Sequence, residues 1–174
     1  YLELQFDEDA KLTRCSLVGS KSEVHLVEKN RVVGHHPDER TFHIFYQLLA
    51  APEAVKRKFW NGLLETTNES FAYIGYTDTN KIEGVTDSNR FQETIQALET
   101  VGIRDDKLDH MMKALCIVLQ LGNLGFDEHH GDTDKSTVTT EDDLKALADL
   151  MQVPAEQLAM AMTERTFQTR EETH

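Results

Sequence analysis

Asp105-Asp106-Lys107-Leu108-Asp109-His110-Met111-Met112-Lys113-Ala114-Leu115-Cys116-Ile117-Val118-Leu119-Gln120-Leu121-Gly122 is the stretch that decides how this chain is read. Leu108, Met111, Met112, Leu115, Val118, Leu119 and Leu121 recur mainly at steps of three and four, the spacing of one helix face turned to a core. The aspartates open the helix at the positive end of its dipole, and Gly122 stops it. Upstream, Asp87 or Ser88 is expected to cap another helix, with Phe91, Ile95, Leu98 and Val101 inward and Gly102 at its end. Phe42, Phe45, Tyr46 and Leu49 mark one face of an earlier helix. Pro52 with Glu53 starts the next, on which Val55, Phe59 and Leu63 repeat every four residues. Residues 66–84 between them are turn-rich and polar.

Downstream, residues 127–139 read as an acidic polar loop centred on Gly131. Thr140 followed by Glu141, Asp142 and Asp143 is an N-terminal cap and acidic first turn. Leu144, Leu147, Ala148 and Met151 should form that helix's inner face, and Pro154 opens a last helix through about Met162. The chain begins differently. Leu2, Leu4 and Phe6 alternate with Tyr1, Glu3 and Gln5, a strand pattern. Residues 7–9 should turn it, 12–18 should return antiparallel, and Gly19-Ser20 should end the pair. The expected fold class is mainly α with a short N-terminal antiparallel β hairpin.

Composition narrows the function. The 174 residues carry 31 acidic and 18 basic side chains, a formal charge of −13, which disfavours a nucleic-acid binder. No run of 18 apolar residues is present, so no membrane-spanning helix is expected. Two cysteines, Cys15 and Cys116, make no disulfide framework and fit a reduced, intracellular setting. A strand that starts at Tyr1 without a leader, and a polar end without an anchor, are expected of a piece of a longer polypeptide.

Chemistry-bearing clusters are weak. His35, His36 and Asp38 lie close together, as do Asp127, Glu128, His129, His130, Asp132 and Asp134. A calcium loop counted from Asp127 needs glutamate at its twelfth position, and Val138 stands there. Adjacent histidines diverge on any regular element and make a poor zinc pair. No Gly-x-Ser-x-Gly elbow and no Gly-rich loop ending in Lys-Ser or Lys-Thr occurs. Cys116 lies on the apolar face of its helix and reads as an inert core residue, Cys15 as a strand residue open to solvent, and His43 as a structural residue at a helix start.

Five segments resemble the myosin motor domain. Glu28-Lys29-Asn30-Arg31-Val32-Val33 and Glu39-Arg40-Thr41-Phe42-His43-Ile44-Phe45-Tyr46-Gln47-Leu48-Leu49 resemble that family's Glu-Lys-Ser-Arg-Val-Val and Glu-Arg-Asn-Phe-His-Ile-Phe-Tyr-Gln-Leu signature, with Asn30 and Thr41 in place of the commoner Ser and Asn. Gly84-Val85-Thr86-Asp87 with Phe91, Thr94, Ala97 and Leu98 is similar to its Val-Ser-Asp helix. Leu119-Gln120-Leu121-Gly122-Asn123-Leu124-Gly125-Phe126 is similar to its Leu-x-Leu-Gly-Asn segment, and Arg165-Thr166-Phe167-Gln168-Thr169-Arg170-Glu171-Glu172 to its Arg-Thr…Thr-Arg-x-Glu element. The matches follow the family's order.

The resemblance implies a partial myosin head, a P-loop NTPase-related architecture. Residues 1–18 would be strands of the motor's central sheet, 19–162 the helical upper 50-kilodalton body, and 163–174 the start of the cardiomyopathy-loop hairpin, whose end is expected to be mobile. It further implies a part of an actin-based motor that couples nucleotide state to closure of the actin cleft. ATP and magnesium would belong to the intact motor, on a phosphate loop, switch I and switch II that these residues do not include, so this stretch should be inactive alone. The expected partners are filamentous actin, weakly, and the rest of the motor; the expected setting is the cytoplasmic cytoskeleton. Loop 4 of the family falls on 127–139 and the first part of its cardiomyopathy loop on 163–174, both actin-facing in the family, which makes Lys135 in the first and Arg165, Phe167 and Arg170 in the second the candidate actin-binding residues, through charge and apolar contact. Residues 127–174 nevertheless hold 12 acids against four basic residues, a net of −8, and an acidic surface is not steered to an acidic filament. A free-standing helical adaptor and a small metal-dependent hydrolase are the alternatives at this stage.

Overall fold

The computed structural model describes residues 1–8, 15–25, 28–36, 39–77, 79, 81–129 and 132–164, and for 8, 129 and 132–135 the backbone only. About the described residues, the order is two strands, three short helices, a minimal hairpin, two long helices, a second hairpin and two final helices. Strands β1 (Leu2–Glu8) and β2 (Cys15–Ser22) pair antiparallel, from Leu2 opposite Ser22 to Glu8 opposite Cys15, with an irregularity between Gln5 and Phe6. The return strand thus runs through Gly19 and Ser20, where the sequence suggests a stop. Gly19 pairs with Gln5, and the ladder rather than the local turn propensity sets the strand's length. Asp7 and Glu8 likewise stay in the strand. This ribbon leaves Leu2, Leu4, Phe6, Leu17 and Val18 exposed.

The helices α1 (Lys29–Val33), α2 (His43–Leu49) and α3 (Glu53–Phe59) follow. Phe42 is the extended residue that precedes α2 and is exposed. The inner face is instead Phe45, Tyr46, Leu48 and Leu49. Pro52 caps α3, which ends at Phe59, and Leu63 reaches the core from a 3₁₀ turn, Asn61–Leu63. The polar stretch after it contributes two core residues: Phe71 and Ile74 are buried.

A two-residue hairpin, β3 (Lys81–Ile82) and β4 (Val85–Thr86), leads into α4 (Asp87–Thr100). The cap is Thr86, whose Oγ1 accepts the Asn89 N–H at 3.4 Å; Asp87 is engaged elsewhere. At its other end Gly102, at φ +87°, donates to Glu99, and the Ile103 N–H returns to Leu98. These crossed bonds close the helix through a left-handed residue that glycine adopts at least cost. Val101 precedes this turn and is 72% exposed, not inward.

The helix α5 (Asp106–Leu121) supplies Leu108, Met112, Cys116 and Leu119 to the same core, with Met111, Leu115 and Val118 half-buried beside them. Leu121 packs instead on a second cluster around Leu147, Ala148 and Leu158. The 127–139 stretch, read as a loop, is a β hairpin: β5 (Phe126–His129) pairs with β6 (Asp132–Val138). Finally α6 (Glu141–Met151) and α7 (Ala155–Thr163) fold back on one another. Leu150 takes the buried position expected of Met151, which is 38% exposed. The architecture is mainly helical with short antiparallel strand pairs, as the sequence indicates. Residues 166–174 lie outside the described residues.

Candidate functional site

Among the described residues, Arg40 is the charged residue that is buried. It stands two residues before the extended Phe42, where the chain enters α2, and its side chain is only 3% exposed. Its Nη2 donates to Asp87 Oδ1 at 2.8 Å, and its Cζ sits 3.7 Å from the centre of the Tyr46 ring. A guanidinium held over an aromatic face and against a carboxylate keeps its charge compensated away from water. Its Nε and Nη1 are buried without a hydrogen-bond partner, so the ring and Asp87 carry that compensation. The Tyr46 hydroxyl accepts the Thr41 N–H at 3.2 Å; burial pushes its phenol above the ordinary range, against the opposing pull of that amide and of Arg40.

The contacts around Arg40 join three helices. Thr41 Oγ1 donates to the Arg31 carbonyl at 2.7 Å, and Arg31 Nη1 donates to the Arg40 carbonyl at 3.1 Å. This reciprocal pair ties α1 to the entry of α2. Asp87 opens α4, and Thr94 one face further along donates to Gln47 Oε1 of α2 at 2.7 Å. Two polar links along one helix–helix contact fix its register, which apolar packing alone leaves looser.

A second set of bonds anchors the β5–β6 hairpin. Asn123 accepts the Ala72 N–H through Oδ1 and donates to the Ser70 carbonyl through Nδ2, both at 3.0 Å. Gly122 lies against Tyr73 so closely that a Cβ there would meet the ring at 2.7 Å. Gln120 Nε2 donates to the carbonyl and the carboxylate of Asp143. Thr140 does not cap α6 through its side chain; Thr140 Oγ1 accepts the Gly125 N–H at 3.0 Å, and Gly125 accepts the Thr139 N–H. The base of the hairpin is therefore locked to the end of α5, and α7 lies alongside β6.

Of the four candidate actin-binding residues, Lys135 falls on β6, where the backbone alone is described, and Arg165, Phe167 and Arg170 lie outside the described residues. The Arg40–Asp87 link escaped the sequence reading because Asp87 served there as a cap. An arginine directly ahead of an apolar helix was the available signal. Among the described residues, no three His, Cys, Asp or Glu side chains gather as a metal site; of the two clusters weighed above, Asp38 and His130 lie outside the described residues, and of His129, Asp132 and Asp134 the backbone alone is described. No described helix is long and apolar enough to cross a membrane.

A family profile described as "Myosin head (motor domain)" matches residues 1–174. The chain belongs to the myosin head family. Among curated relatives, Myosin-1 of Coccidioides immitis is 34% identical over 170 residues, 97% of this chain and 13% of that protein. Myosin-2A of Naumovozyma castellii is 31% identical over 173 residues, 99% of this chain and 10% of its own. Myosin-52 of Schizosaccharomyces pombe is 30% identical over 172 residues, 99% of this chain and 11% of its own. The chain thus spans a small part of each relative, and it is similar to them along nearly all of its own length.

Proposed function

We propose that this chain is the helical actin-facing part of a myosin-like motor and that it passes nucleotide-dependent movement to the actin cleft without itself hydrolysing ATP. The observation that carries the reading is the course of α7 along β6. Lys135 falls on β6, and α7 is the helix that precedes Arg165, Phe167 and Arg170 in the chain. The Arg40 network supports the mechanical half, because a body that transmits displacement must hold its helices in fixed register. The actin partner, the cytoskeletal setting and the role of the remaining motor as nucleotide site all rest on the family.

Cosedimentation of the whole chain with filamentous actin tests the reading. Weak binding at low salt that weakens further as salt rises is expected, since the contact is charge-assisted against an unfavourable net charge. The variant Lys135→Glu/Arg165→Glu/Arg170→Glu should stay in the supernatant while keeping the wild-type melting curve. A chain that never pellets with actin at low salt, or a variant that pellets as well as wild type, removes these residues from the actin face.

A further inference from the structure

His35 lies in the segment that follows α1, where both of its ring nitrogens meet backbone carbonyls. Nε2 is 2.7 Å from the Ile74 carbonyl oxygen and Nδ1 is 3.0 Å from the His36 carbonyl oxygen. A carbonyl oxygen only accepts hydrogen bonds. A neutral imidazole carries one N–H and one lone pair, so it can donate to one of these oxygens and must turn its lone pair on the other. The imidazolium donates to both. We propose that His35 is a proton-operated staple between the α1 exit and the core turn at Ile74, closed when the ring is charged and half-released when it is neutral.

The surroundings say which half opens. Ile74 is buried in the main core, and its turn is held by backbone bonds from Ile74 and Gly75 to Phe71 and by the Asn123 clamp next to it. That carbonyl is fixed. The His36 carbonyl belongs to an exposed segment and also accepts the Glu39 N–H at 2.9 Å. The shorter bond keeps the proton on Nε2, and the Nδ1 lone pair then faces the His36 oxygen at 3.0 Å. Repulsion between the two pushes the His36 carbonyl away and loosens its bond from Glu39, the residue directly before Arg40. Gly34, Ala72, Tyr73, Ile74, Gly75 and Tyr76 line the crevice that receives the ring. The titratable groups that face it are therefore the Tyr73 and Tyr76 phenols, with the His36 imidazole next in the chain. Among these described lining residues there is no carboxylate. Arg31, on α1 itself, is turned to Glu28, Glu39 and the Arg40 carbonyl.

The test uses the whole chain with ¹⁵N-labelled histidine. Side-chain nitrogen shifts report which ring nitrogen bears a proton, and hydrogen exchange corrected for intrinsic rate reports protection of the Glu39 amide. Both His35 nitrogens should be protonated on the acid side of its titration. On the alkaline side only Nε2 should keep its proton, and Glu39 protection should fall about two- to tenfold, the worth of one ordinary hydrogen bond. His35→Gln, which cannot titrate, should show Glu39 protection independent of pH, while His36→Gln should keep the wild-type fall. A neutral ring found with its proton on Nδ1, unchanged Glu39 protection in wild type, or the same fall in His35→Gln would each overturn the staple.

Discussion

Asp87→Ala isolates the charge that holds α2 to α4. The Arg40 side chain is 3% exposed and that of Asp87 14%, and their bond is 2.8 Å long. Arg40 Nε and Nη1 already lack hydrogen-bond partners, so deleting the carboxylate strands Nη2 as well and leaves the Tyr46 ring as the guanidinium's one remaining compensating contact among those described. Removing one partner of a buried ion pair costs about 3–5 kcal/mol, chiefly through the uncompensated charge left behind. That is a large share of the stability of an ordinary domain, about 5–15 kcal/mol. Arg40→Met keeps an apolar stem over Tyr46 and removes the charge, so adding it to Asp87→Ala should recover stability to within about 2 kcal/mol of wild type. Urea unfolding of wild type, both single variants and the double variant, at low and high salt, measures this directly. The cost of Asp87→Ala should change little with salt, because water and ions scarcely reach the pair. A cost under about 1 kcal/mol, the range of a surface pair, or strictly additive single-variant effects, would refute the argument that this is a desolvated, coupled link.

Two further outcomes follow from packing and titration. Gly122→Ala places a Cβ 2.7–2.9 Å from three atoms of the Tyr73 ring, so it should lower stability by about 1–3 kcal/mol in a thermal melt, and Tyr73→Ala should remove most of that penalty in the double variant. Burial pushes the Cys116 thiol up to about 12; above the ordinary thiol range the unfolded chain has lost this proton while the folded chain keeps it, so stability falls with rising pH until the folded thiol itself titrates. Cys116→Ala should flatten that alkaline decline by about 1.4 kcal/mol per pH unit, and iodoacetamide at mildly alkaline pH should label exposed Cys15 but not Cys116 in the folded chain.

The helices were legible because their signal is local. Apolar residues three and four apart on 106–121 need a facing surface whatever that surface is, and Pro52, Gly102 and Pro154 mark ends that the backbone enforces by itself. The errors share a cause in long-range structure. Val101 and Met151 continue an apolar repeat beyond the point where a neighbouring element covers it, so they stay exposed. Phe71 and Ile74 sit in a polar, turn-rich stretch without periodicity, and they become core because Asn123, some fifty residues on, clamps their turn from Ala72 and Ser70. The acidic 127–139 stretch has little apolar alternation, and its ladder forms with its own return strand above a base fixed by Thr140.

By itself the sequence determined the family and the mainly helical class, because both are carried by residue types in a fixed order and by short-range periodicity. Tertiary structure alone decided that Asp87 is the partner of Arg40 while Thr86 does the capping, that Asn123 is a clamp, and that His35 faces two carbonyls. The Arg40–Asp87, Asn123–Ala72 and His35–Ile74 contacts depend on which distant group a polar side chain meets once water is excluded, and in a linear chain that distance is unspecified.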